Sequence, residues 1–165
     1  MDNPVTARLI QSRIESIRAD LGPGIEQGGG GSLRTKVRAS IQENENVDQA
    51  VAEVFIEVTG VPEKSNKASE FAFQISLIEQ GLYEWPPGTR PADLDDLVVT
   101  RSLCQPIFTV AIAEIAHLAQ RMGFNSVRVG WSLPMNDVKK ATPKKRQAIK
   151  QAAKPASAKL AKVKK

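Results

Sequence analysis

The chain has 165 residues, 41% of them apolar, which bounds it to one globular domain with extensions. Its net charge of +5 is unevenly spread: residues 139–165 hold eleven of the 23 Lys and Arg and no acid, so a body of about −6 carries a tail of +11. The single cysteine, Cys104, excludes an internal disulfide framework, no apolar run approaches the roughly 20 residues that span a bilayer, and the polar start Met1-Asp2-Asn3-Pro4 is no signal peptide, so a cytoplasmic location without membrane insertion is expected.

Residues 5–21 read two ways. Val5, Leu9, Ile10, Ile14, Ile17 and Leu21 suit a helical face, and a strand with a bulge accommodates them equally. Gly22-Pro23-Gly24 ends that element, and Gln27 with Gly28 to Gly31 and Ser32 reads as a flexible connection. A phosphate-binding loop would need a lysine and a hydroxyl opening a helix, whereas Leu33 to Ile41 reads as a strand, with Leu33, Val37, Ala39 and Ile41 inward.

Val51 to Val58 alternates again, placing Val54, Ile56 and Val58 on one face and Glu53, Phe55 and Glu57 on the other. Phe71, Phe73, Ile75 and Leu77 repeat the pattern. The intervening polar stretches, Glu43 to Gln49 and Pro62 to Ser69, are short enough for consecutive hairpins. Most of the scarce aromatic content lies between Phe55 and Trp85. Asp93, Asp95 and Asp96 precede an apolar run and read as helix-start charge, with no histidine spaced nearby to make a transition-metal site.

A helix is expected to open at Pro106, run to about Met122 and stop at Gly123. Its apolar positions fill roughly half the circumference, wider than the ~100° stripe of a simple surface helix, which points to a second subunit, or else a small intramolecular lid, against Ile107, Ala111, Ile115, Leu118 and Met122. Cys104 and His117 could in principle supply a nucleophile and a base, but His117 falls on the polar side among Glu114, Gln120 and Arg121, so no enzyme activity is expected. Val127, Val129 and Trp131 alternate in an extended piece before Pro134. The domain boundary is set at 1–138, and the Lys/Ala/Pro-rich tail, 139–165, has too few large apolar groups to offset ordering and reads as disordered.

Taken in register, these pieces resemble the SecB-like export chaperones over roughly residues 33–134. The resemblance is carried by Val51 to Thr59, by Ala72-Phe73, by the turn Gln80-Gly81-Leu82-Tyr83, and by Cys104, Ile107, Glu114 and Gly123-Phe124. It implies an α+β fold, a four-stranded antiparallel sheet with a long helix packed on one face, in which residues 5–21 form the first strand. It also implies dimers pairing into a homotetramer, and an activity as a holdase that binds unfolded polypeptides without nucleotide, cofactor or metal. The translocase motor SecA, or for specialised members an antitoxin, would be the further partner. The chain departs from the family pattern at Thr109-Val110-Ala111 and Asn125-Ser126, and the family's apolar second helix has no counterpart after Pro134.

Phe55, Leu82, Tyr83, Trp85 and Phe108 are the candidate client-binding residues, against the plainer reading that large apolar groups belong to the core. Phe55 is the best exception, since it points away from Val54 and Ile56 between two glutamates. The rival reading from another class is a nucleic-acid or anionic-surface binder acting through Lys139, Lys140, Lys144, Lys145, Arg146 and Lys150. No aromatic is interleaved there for base stacking.

Overall fold

The computed structural model describes residues 6–22, 30–63, 70–125 and 127–134. Four strands precede one helix: β1 (Arg8–Leu21), β2 (Gly31–Glu43), β3 (Gln49–Pro62), β4 (Phe73–Glu84) and α1 (Leu97–Arg121). The strands form one antiparallel sheet in the order β1-β4-β3-β2. Strands β2, β3 and β4 are the expected hairpins, while β1 returns to pair with β4, so the first two strands in sequence lie at opposite edges. This is the α+β architecture that the resemblance implies. The expected tail, its disorder and the 139–165 boundary lie outside the described residues.

The 5–21 ambiguity resolves as a strand. Its register slips between Leu9 and Gln11 and again between Ile14 and Ser16, and each slip inserts one extra residue. The apolar positions that line up with the buried residues of β4 are therefore Leu9, Ile14, Ile17 and Leu21, at spacings of five, three and four, which mimic a helix.

The core lies between α1 and one sheet face. Val54, Ile56 and Val58 of β3 and Ile75 and Leu77 of β4 are fully buried, as the period of two requires. Val37, Ala39 and Ile41 of β2 join them, while Leu33, at the far end, stays at the surface. At Gly81 α1 packs tightly on the sheet: a Cβ there would stand 2.8 Å from Ile107 Cγ2, 3.0 Å from Tyr83 Cε2 and 3.1 Å from Leu9 Cδ1. Any larger residue would lift the helix off the sheet.

The helix starts nine residues before the expected Pro106. Asp96 is its N-cap, accepting from the backbone N–H of Val98 at 2.8 Å and of Val99 at 3.2 Å, so the aspartate cluster does mark a helix start. Pro106 lies inside the helix on its solvent side, where the carbonyl left without an amide partner can meet water. Gly123, at φ 94°, ends the helix as expected.

Much of the broad apolar arc of α1 is covered by the chain's own sheet. Ile107, Ala111 and Ile115 are fully buried there, which corrects their assignment as an oligomer contact, while Leu118 and Met122 are half-buried against the same core and keep part of their surface open. The face of one four-stranded sheet is wide enough because α1 lies along β4 and β3 and also reaches β2. By length and composition α1 also qualifies as a membrane span, with a mean hydropathy of 1.4 over 18 residues. Its burial against the sheet is that of a core helix.

After α1, residues 127–134 pass back across the helix without forming a strand. One side chain holds them: the Gln105 amide donates to the Trp131 carbonyl at 2.8 Å and accepts from the Leu133 N–H at 2.9 Å. Leu133 is buried, Val127 and Val129 pack against the core, and the Trp131 ring is 59% exposed.

Candidate functional site

Three of the five proposed client-binding residues are sealed inside the subunit. Tyr83, Trp85 and Phe108 are 3%, 2% and 1% exposed. The Tyr83 hydroxyl donates to the Leu103 carbonyl at 2.6 Å, and burial pushes its ionisation above the ordinary phenol range. The indole N–H of Trp85 is buried with no acceptor among the described residues. As placed, these three rings fill the core and offer no surface to a partner, which corrects the expectation for them. The period of two puts Tyr83 and Trp85 on the same inward face as Ile75 and Leu77.

Phe55 and Leu82 are different. Both lie on the sheet face turned away from α1 and are only half-buried. Phe55 pairs with Ile78 and Val51 pairs with Leu82 across the β3–β4 ladder, so two apolar pairs lie on this face, with the hydrogen-bonded Glu53–Gln80 pair between them. The sequence reading missed Val51 and Ile78, although their alternation with Val54 and Leu77 was available to find them.

Charge frames these pairs. The Arg38 guanidinium sits over the Phe55 ring, 4.5 Å from its centroid. Lys36 Nζ meets Glu57 at 2.6 Å, and that hydrogen bond is the main reason the Glu57 carboxyl is held below its usual range. Gln80 links three strands, accepting from Arg13 at 3.1 Å and donating to Glu15 at 2.6 Å and Glu53 at 3.0 Å. The face thus carries two half-buried apolar pairs divided by a polar one, with both signs of charge among and around them.

The second uncovered surface is β1. Because α1 barely reaches this strand, Leu9, Ile14, Ile17 and Leu21 are 39–55% exposed although they lie on the core side of the sheet. The free edge of a 14-residue strand adds a row of unpaired backbone groups. Where β1 meets α1, Glu79 of β4 is buried, 2% exposed, with no partner for Oε2 among the described residues. Burial raises its carboxyl above the usual range, a hydrogen bond with Ser12 opposes this, and the charge of Glu114 adds to it.

The outward side of α1 is nearly free of charge between Ser102 and Ala113, where Ser102, Pro106, Thr109, Val110 and Ala113 face solvent. Cys104 is fully buried on the opposite side, and burial raises its thiol to about 12. His117 faces solvent, its Nδ1 4.0 Å from Glu114 Oε1. Cys104 and His117 therefore do not form a nucleophile–base pair. The lysines and arginine named from the tail, Lys139 to Lys150, lie outside the described residues.

The arrangement is a SecB-like fold: a four-stranded antiparallel sheet with one long helix on one face. It is similar to the SecB-like chaperone Rv1957 of Mycobacterium tuberculosis, solved in complex with a ChAD peptide from the HigA1 antitoxin Rv1956. The superposition has a TM-score of 0.58 and 8% identity and covers 75% of this chain and 88% of that one. No protein-family model matches the sequence, and no curated protein does.

Proposed function

We propose that this protein is a nucleotide-independent chaperone that holds unfolded polypeptides on exposed apolar surface. The observation that carries this reading is the two half-buried apolar pairs on the sheet face turned away from α1, Phe55–Ile78 and Val51–Leu82, set on either side of the Glu53–Gln80 hydrogen bond. Burial of such surface contributes about 25 cal/mol per Å² and is indifferent to client sequence. The charged rim would orient clients and speed their capture more than it tightens binding. Similarity to a fold solved with a bound peptide supports the same reading. Whether the client is an export substrate delivered to SecA or a dedicated antitoxin is a matter of specificity layered on this face.

The assembly we propose is a dimer through β1 whose pairs associate through the uncharged outward side of α1. Antiparallel self-pairing of β1 about Ile14 would bring Arg13 of one copy near Glu15 of the other and Arg8 near Asp20. It would also cover the exposed Ile14 and Ile17. Several client platforms on one oligomer would raise avidity. The basic tail is proposed as an accessory contact to anionic surfaces, nucleic acid among them.

The test is binding of a fluorescently labelled, permanently unfolded polypeptide to the full chain without nucleotide. Phe55→Glu is expected to weaken binding at least tenfold while the circular dichroism spectrum is unchanged. Equal binding by Phe55→Glu would remove these pairs from the mechanism.

A further inference from the structure

We propose that the outer edge of β2 takes up client segments as an added strand, and that Arg34, Lys36 and Arg38 select segments in which acidic residues alternate with uncharged ones. This rests on the holdase reading above and names the class of client it serves.

The two edges of the sheet differ. Strand β2 ends the strand order, and among the described residues no other segment makes backbone pairs along its outer side. Its register against β3 runs from Gly31 to Glu43 without a slip, and it contains no proline, so alternate N–H and C=O groups along its 13 residues point outward in a regular row. Strand β1 is interrupted by two bulges.

Charge decides what can pair with that row. Arg34, Lys36 and Arg38 lie two residues apart, all exposed, on the face turned away from α1, and no acid falls between Gly31 and Gln42. Lys36 stands opposite Glu57 and bonds it, but Arg34 stands opposite Thr59 and Arg38 opposite Phe55. Two of these three cations thus have no carboxylate across the ladder, on a body of net charge about −6. A second copy is a poor occupant, because antiparallel pairing about Lys36 would set Lys36 against Lys36 and Arg34 against Arg38. The chain's own basic segment, residues 139–165, is repelled by the same row.

A strand laid along β2 brings every second side chain to about 5 Å from Arg34, Lys36 or Arg38. Carboxylates at those positions pair with the cations. The residues between them fall on the core side of the sheet, where Leu33 is 36% exposed and Thr35 is open. Arg38, lying over the Phe55 ring, joins this row to the apolar pair behind it. Backbone hydrogen bonds hold any extended segment, and the cations set which segment is held.

Fluorescence anisotropy of the full chain tests this with dye-labelled peptides of one length, in which valine and threonine alternate with glutamate or, in the control, with lysine. The glutamate peptide is expected to bind about tenfold more tightly at low salt. Combining Arg34→Glu, Lys36→Glu and Arg38→Glu is expected to reverse that order with an unchanged circular dichroism spectrum. Should that variant fail to fold, Arg34→Gln with Arg38→Gln is expected to erase most of the preference. N-methylation of the glutamate peptide at every second amide should abolish binding in one phase and spare it in the other, since one set of amides faces β2. A preference for the lysine peptide, a glutamate preference that survives the charge reversal, or equal binding in both N-methylation phases would each overturn the proposal. A single-stranded oligonucleotide that displaces the glutamate peptide and binds more tightly would make the row a nucleic-acid contact and overturn it as well. Equal affinity for the two peptides, with Phe55→Glu still weakening capture of the unfolded polypeptide, would sink the β2 assignment and leave the holdase standing. Binding of neither peptide also overturns it, and takes the holdase reading with it only if the unfolded polypeptide is left free too.

Discussion

Glu79 and Gly81 sit two residues apart on one strand and set opposite demands on the space beneath α1. The folded state holds the Glu79 carboxyl above its ordinary range, so the stabilising contribution of its neutral form is complete below the unfolded value of 4.5. That contribution is lost as pH rises through the folded value. Glu79→Gln should therefore stabilise the chain at pH 8, by about 1 kcal/mol for a buried group relieved of its charge, and make little difference near pH 4. Urea unfolding midpoints at the two pH values check it. Gly81→Ala should destabilise by about 1–3 kcal/mol, because the new methyl meets Ile107 Cγ2 and Leu9 Cδ1 with nowhere to go. An unchanged midpoint would mean that α1 can shift freely on the sheet.

At the scale of elements, the departures from sequence expectation have physical causes. Strands β3 and β4 were legible because each keeps a strict period of two with one buried face, and β2 because it does so from Val37 to Ile41, although not at Leu33. Strand β1 was not, because two bulges turn its period into a helical one. The start of α1 was hidden by Pro106, which marks a first turn in most helices but here lies in the tenth position of 25. Pro106→Ala is expected to stabilise α1 by about 1 kcal/mol, since an interior proline lacks one helical hydrogen bond. Thermal unfolding reads the gain, and a loss would show that the proline shapes the helix for its packing. Residues 127–134 are held by packing of Val127, Val129 and Leu133 and by hydrogen bonds from one side chain, Gln105, which no periodicity could reveal. Gln105→Ala should therefore speed amide exchange in this segment while leaving the sheet protected.

For the molecule as a whole, the candidate site was half legible. Phe55 stood out because it points away from Val54 and Ile56, and it does lie on the open face of the sheet. Tyr83, Trp85 and Phe108 were singled out for size, and size sent them into the core. The helix arc likewise marked, at Ile107, Ala111 and Ile115, depth of burial on the chain's own sheet. Among the described residues, apolar surface stays open along β1, at Val110 on the outer side of α1, at Leu97 and Val98 in its first turn and at Trp131, and Phe55 is half-buried on the far face of the sheet. We propose the far face for clients and β1 and the outer side of α1 for further copies of the chain. The client-binding proposal is tested most directly by light scattering from a chemically unfolded client diluted into buffer with the full-length protein and no nucleotide. Aggregation suppressed by the wild-type chain and restored by Phe55→Glu is the predicted result. Aggregation that proceeds equally with wild type, with Phe55→Glu and with no chaperone added would contradict it.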